Sequence, residues 1–289
     1  MIDFFLVSII LCITLFLFAI VIGEELFKIM VNEQVRYLKL IVTYVPLPSR
    51  RDITQLPEPV QRYIAYSAGS DSAPPPDSVR LRYHGKARYG RKGRWMQLGG
   101  EAFVSFAVPG FWWRATITYF PCIWLDRFDY YIDHKAGMTL NLYSLIPLSN
   151  EQSSGMSCPA LFRYLAFTPL FPGIHRTDIS IRWDPVDHTA ARATITDHGI
   201  SAEALVRFNE RGWIESMNLV QDPACTDNGK PAGLVSCRYS SYSEMHGCQI
   251  PTMLEAEFYL PGGVLYNAIY TIETLDYSAY SESGGRGTA

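Results

Sequence analysis

The sequence contains no H-E-x-x-H zinc motif, no phosphate-binding loop and no G-x-G-x-x-G fingerprint, so no motif-borne metal, nucleotide or dinucleotide chemistry is signalled. It has no C-x-x-C pair either. Cys122, Cys158, Cys225, Cys237 and Cys248 are odd in number and widely spaced, which reads as buried free thiols rather than a zinc finger or a disulfide framework. No charge of one sign dominates. A net charge of −3 is uninformative as a whole, and with no basic character along the rest of the chain a nucleic-acid partner is not expected. No Lys or Arg occurs before Lys28.

What is present begins with Phe4 to Ile22, "FFLVSIILCITLFLFAIVI", an uncharged run of nineteen residues. Rising about 1.5 Å per residue, a helix of that length just spans a hydrocarbon core of about 30 Å. A cleaved signal peptide fits poorly: there is no basic n-region and no small-x-small cleavage site before "GEE". Residues 1–23 are therefore expected to form a single-pass transmembrane anchor. Lys28, Arg36 and Lys39 follow the span, which favours a cytoplasmic location for the rest of the chain. Residues 24–45 carry polar side chains at helical spacing (Glu25, Lys28, Asn32, Arg36, Lys39) and are expected to form an amphipathic helix. It would either lie in the lipid interface or cover the soluble domain. Pro46 and Pro48 open a linker at 46–55, and residues 278–289 are expected to be a disordered tail.

Between them, residues 56–277 begin with a short helix in "LPEPVQRYIAYSAG" and then change period. Alternation with regular turn residues marks an antiparallel meander, with strands expected at Val79–Tyr89, Arg94–Val108, Trp112–Phe120, Ile123–Asp133, Met138–Ile146, Ile179–Trp183, Thr189–Thr196, Ile200–Phe208, Trp213–Gln221, Leu234–Tyr242, Gln249–Leu260 and Val264–Leu275. A helix interrupts it at "SCPALFRYLAF", with Pro159 in the first turn.

Three Asp-His pairs raise the question of a metal or acid–base site: Asp133-His134, Asp187-His188 and Asp197-His198. The last two flank an extended strand, which at about 3.3 Å per residue holds them roughly 30 Å apart. They cannot share an ion through it. Each pair sits at a turn, where Asp satisfies backbone groups, and all three are read as turn chemistry. "GMSCP" at Gly155–Pro159 lacks the second glycine of a nucleophile elbow, and Glu255 and Glu257 read as a solvated strand face. No catalytic residue, metal or cofactor is expected.

Two other patterns stand out. Arg80, Arg82, Lys86 and Arg88 share one face of a strand by period-two geometry, a face suited to solubility or to anionic lipid headgroups. In "PGFWWRATITYFPCIWLDRF", aromatic residues crowd together, and Trp112 and Trp113 must point to opposite faces.

The segments "LPEPVQRYI", "FRYLAFTPLFP", "IRWDPVDHTAARATI" and "YSEMHGCQIPTMLEAEFYLPGG" resemble an uncharacterised family of bacterial membrane-anchored proteins carrying a domain of unknown function. That family is in turn architecturally similar to lipoprotein-carrier (LolA-like) proteins. The resemblance implies a mainly β fold: a strongly bent antiparallel sheet, a half-barrel, packed round one or two short helices and preceded by the transmembrane helix. It also implies an apolar cup, and no catalytic residues. The expected function is binding or handling of a lipid or other apolar ligand at the membrane. The alternatives are a structural subunit docking another membrane protein, or a hydrolase whose site the sequence does not locate. The expected cup wall is Trp112, Trp113, Tyr119, Trp124 and Phe162, with Arg163 as headgroup partner and Arg80, Arg82, Lys86 and Arg88 as membrane contacts.

Overall fold

The structure, a computed structural model, describes residues 2–45, 49–69, 76–152, 154–177, 181–220, 226–227, 230–231, 233–260 and 263–278. Residues 46–48 of the expected linker and 279–289 of the expected tail lie outside the described residues.

The alternating segments become β1 (Ser78–Tyr89), β2 (Met96–Ser105), β3 (Gly110–Phe120), β4 (Ile123–Ile132), β5 (Lys135–Leu142), β6 (Ile146–Glu151), β7 (Ile181–Asp187), β8 (Ala190–Asp197), β9 (Ile200–Phe208), β10 (Ile214–Leu219), the short pair β11 (Thr226–Asp227) and β12 (Lys230–Pro231), then β13 (Gly233–Met245), β14 (Cys248–Leu260) and β15 (Val264–Ser278). Thirteen of them form one antiparallel sheet in the order β6-β5-β4-β3-β2-β1-β15-β14-β13-β10-β9-β8-β7. The chain thus makes one meander, β1 to β6, and a second, β7 to β10, and the last three strands join them.

Period-two alternation decides the two faces. In β1 the side chains of Val79, Leu81, Tyr83 and Ala87 are buried, while Arg80, Arg82, His84 and Lys86 are exposed. The sheet bends sharply enough that close backbone approach needs glycine. A Cβ on Gly85 would lie 1.9 Å from the Ile269 carbonyl oxygen, a separation no side chain tolerates. Sequence reading did not anticipate β6. The expected strand Met138–Ile146 ends instead at Leu142, and Tyr143 and Ser144 turn the chain with φ of 57° and 56°.

The concave face is filled by α3 (Ser157–Phe167), whose Leu161, Phe162 and Leu165 are wholly buried. The Tyr164 hydroxyl donates to the Ser105 carbonyl at 2.8 Å, and the Tyr239 hydroxyl donates to that of Ala166 at 2.7 Å. These bonds tie the helix to both halves of the sheet. α2 (Glu58–Ser67) packs Val60, Tyr63 and Ile64 into the same core.

On the convex face α1 (Ile2–Tyr44), a single unbroken helix, lies across β2, β3 and β4. Its first half exposes apolar side chains from Phe4 to Ile22 and is long and apolar enough to cross a membrane. Its second half packs Phe27, Val31 and Leu38 onto Phe103, Trp112, Phe128 and Ile132. The amphipathic segment therefore covers part of the folded domain. Cys12, Cys122, Cys237 and Cys248 are free, but Cys158 is disulfide-bonded, so the free-thiol expectation fails at that residue.

Candidate functional site

Three regions carry candidate chemistry: the filled interior, and the two opposite rims of the bent sheet. In the interior, Trp113 stacks on Tyr83 at 4.1 Å and on Phe167 at 5.3 Å between ring centroids, with the edge of Tyr270 at 5.1 Å. Trp112, on the opposite face, lies under α1 parallel to Phe103. Tyr119 is exposed, and Trp124 is half-buried with its ring against Tyr143 at 4.8 Å. Of the expected cup wall, Trp113, Phe162 and Arg163 meet inside. Trp112, Tyr119 and Trp124 do not, because strand alternation and strand ends direct them elsewhere.

Arg163 is not a free headgroup partner. Its guanidinium is buried against Asp129 and lies 4.7 Å from the centre of the Trp113 ring. Asp129 also accepts from Arg127 Nε at 3.0 and 2.9 Å. Burial works to raise the Asp129 pKa, but the two guanidiniums outweigh it and hold the carboxyl below its usual range, so the triad is ionised. Drawing Arg163 away would leave a buried carboxylate short of a partner, which is costly. Burial pushes the Tyr270 phenol up to about 12 against the pull of Arg163 and Arg127, so it stays neutral at physiological pH. The sequence held a signal for the triad: Arg127 and Asp129 occupy inward period-two positions of β4 in line with buried Tyr131.

One rim is apolar. Tyr119 (47% exposed), Phe120 (44%), Ile123, Ile146, Leu148 and Val264 stand out at strand ends around the β3–β4, β5–β6 and β14–β15 turns. Arg94 sits 5.2 Å from the Phe120 ring centre, and Lys86 and Arg88 lie over Trp95 at 5.1 and 4.4 Å. The basic face of β1 thus runs down to this rim. Arg80, at its far end, is ion-paired with Glu101, whereas Arg82 is exposed on the same face. The apolar half of α1 leaves the domain here. Phe16 meets Tyr143 at 5.8 Å between ring centroids, and a Cβ on Gly23 would lie 2.8 Å from that of Leu145. Glycine permits this close crossing.

The other rim is polar. At about 1.5 Å per residue α1 climbs roughly 30 Å from Phe16 to Tyr37, whose hydroxyl donates to Asp133 at 3.3 Å. There the β4–β5 turn, with Asp133 and His134 at φ of 51° and 56°, meets the β8–β9 turn, with His198 and Gly199 at 46° and 82°. Both are two-residue hairpin loops with left-handed residues at both central positions. The imidazoles of His134 and His198 lie 3.6 Å apart between ring centroids. His198 Nδ1 is 2.8 Å from one Asp197 oxygen and His134 Nδ1 is 3.6 Å from the other. His134 Nε2 is 3.0 Å from Asp133. The Tyr131 hydroxyl donates to Asp197 at 2.7 Å, and burial, with that bond, pushes its phenol well above the ordinary range. Asp187, by contrast, accepts from the Thr189 amide at 2.7 Å and its hydroxyl at 2.8 Å, as turn chemistry expects. Sequence reading assigned each Asp-His pair to a turn and missed that the curvature brings two turns together, since no local pattern encodes that meeting.

The chain belongs to a protein family, matched over residues 46–267, described as a family of unknown function (DUF6544). No match is found among curated proteins. Similar solved structures include a LolA superfamily protein from Nitrosomonas europaea, 9% identical over 78% of this chain and 94% of that one, with a TM-score of 0.41. A domain from Vibrio parahaemolyticus described as outer membrane lipoprotein-sorting is 9% identical over 82% and 96%, with a TM-score of 0.41. A DUF1329 family protein from Desulfovibrio piger is 11% identical over 74% and 88%, with a TM-score of 0.32.

Proposed function

We propose that the protein is anchored in a membrane by the apolar half of α1 and handles a lipid or other apolar molecule at the bilayer surface, through its apolar rim and the aromatic interior behind it. The observation that carries this reading is the coincidence of the two apolar features: α1 departs beside Tyr143 and Leu145, so the exposed rim stands where the span meets the bilayer. Burying side chains of this kind is worth up to about 1.5–3 kcal/mol each. Lys86 and Arg88 would each add about 1 kcal/mol near anionic headgroups. An acyl chain entering from the rim displaces side chains of α3, because Phe162 and Leu165 fill the concave face. We assign the domain to the oxidising side of the membrane, against the expectation from Lys28, Arg36 and Lys39, because Cys158 is disulfide-bonded and disulfides persist in oxidising compartments.

A second reading has the same rim docking another membrane protein, favoured by the complete burial of Phe162. Mass spectrometry of small molecules extracted from the full chain, purified in mild detergent, separates the two. The ligand reading expects an apolar molecule at near-stoichiometric amount, lost in Trp113→Ala. Wild-type protein that carries none overturns it in favour of the second.

A further inference from the structure

The geometry points to a binding site for one first-row divalent transition metal ion, zinc foremost, between the β4–β5 and β8–β9 turns, with His134, Asp197 and His198 as ligands. One donor atom from each of these residues can be chosen so that all lie within 4.8 Å of one another. Donors around a tetrahedral ion with bonds of about 2.1 Å stand about 3.4 Å apart. The widest donor separation, up to 4.8 Å, exceeds that spacing by no more than about 1.4 Å.

The donor set selects the metal. Two imidazoles with one carboxylate suit zinc and its neighbours, whereas calcium and magnesium take oxygen ligands. The surroundings are those of a supported site. Asp133 lies 3.0 Å from His134 Nε2, on the far side of the ring from the shared Nδ1, and Tyr131 holds the Asp197 carboxylate at 2.7 Å. Such outer partners fix the ring orientation and raise ligand basicity. The Ser157 hydroxyl donates to the His134 carbonyl at 3.4 Å, which links the turn to the start of α3. The opposing reading is a polar contact between two hairpin tips, in which the histidines only bond to carboxylates. It accounts for the hydrogen bonds, but it gives no reason for two imidazoles, tilted 37° to each other, to bring their ring centroids to 3.6 Å beside a shared carboxylate. The ion would use three protein ligands and leave a fourth position to solvent, since the His198 side chain is 67% exposed.

The test uses the full chain in detergent, stripped with a chelator, desalted and titrated with zinc ion alone. Wild type is expected to take up one equivalent and to gain thermal stability on doing so. His198→Gln and His134→Gln should weaken uptake by more than about tenfold, the low end of what losing even an outer-shell partner costs. His84→Gln, which alters the exposed His84–Glu273 pair at 2.7 Å elsewhere on the surface, should leave uptake unchanged. His198 is exposed in a turn, so its variant folds even if that of His134 does not. The proposal is overturned if wild type takes up less than one equivalent, or if His198→Gln binds zinc as wild type does.

Discussion

His175 makes the fold sensitive to mild acid. Its ring is 1% exposed, wedged between Tyr63 at 5.7 Å and Trp183 at 5.5 Å, and among the described residues neither of its nitrogens has a hydrogen-bond partner. Burial, with the nearby charge of Arg51, lowers its pKa from 6.5 to about 3. The folded protein therefore keeps it neutral, while the unfolded chain protonates it below about pH 6.5. Because the unfolded state binds the extra proton, stability rises with pH across the window from about 3 to 6.5 and is lost as pH falls through it. Between pH 7 and pH 5 the loss is about 2 kcal/mol, from 1.36 kcal/mol per pH unit below the unfolded value. At about 2–4 °C per kcal/mol for a domain of this size, the melting temperature should fall by about 4–8 °C. The assay is thermal unfolding of the detergent-solubilised chain at both pH values, beside His175→Leu. Leucine removes the titration and two unpaired buried nitrogens together, so the variant should be no less stable at pH 7 and much flatter toward pH 5. Parallel losses in wild type and variant would refute the reasoning and move the acid sensitivity to other groups.

Two further outcomes follow from the site. Asp129→Asn leaves Arg127 and Arg163 buried without their shared countercharge and should destabilise the domain by about 3–5 kcal/mol, read as a shift in denaturation midpoint. The same substitution paired with Arg163→Met should recover part of that loss, and equal losses in the single and double variants would contradict the triad's role. Cys122, free and exposed in the β3–β4 turn, reports on the apolar rim. An environment-sensitive dye attached there in a Cys12→Ser, Cys248→Ser background should shift to the blue and be quenched by nitroxide lipids after reconstitution. A spectrum unchanged from the water-exposed dye would remove the rim from the bilayer.

Much of the fold was legible because alternation writes the burial of each strand into its own residues. The period-two split of Val79, Leu81 and Tyr83 from Arg80, Arg82 and His84 is an example. β6 escaped because Ile146 and Leu148 are exposed at the rim, so its apolar residues do not mark a buried face. Trp112 and Trp113 had to diverge, but which one faced inward depended on α1 covering the other side. The candidate sites were the least legible part. His134 and His198 lie 64 residues apart on strands near opposite ends of the sheet, and only the curvature of the whole sheet makes them neighbours.

The docking of α1 has a mechanical consequence. A domain on a flexible tether explores a volume whose radius grows as about 5–6 Å times the square root of linker length. Here α1, the proposed anchor, is itself part of the domain's wall, clamped through Phe27, Val31 and Leu38, so there is no leash to pay out. Such a protein is a fixture rather than a ferry. Under the proposed anchoring it would meet other molecules by lateral diffusion in two dimensions, with one orientation and one height above the bilayer, and anything it accepted would have to be brought to that height or already lie there.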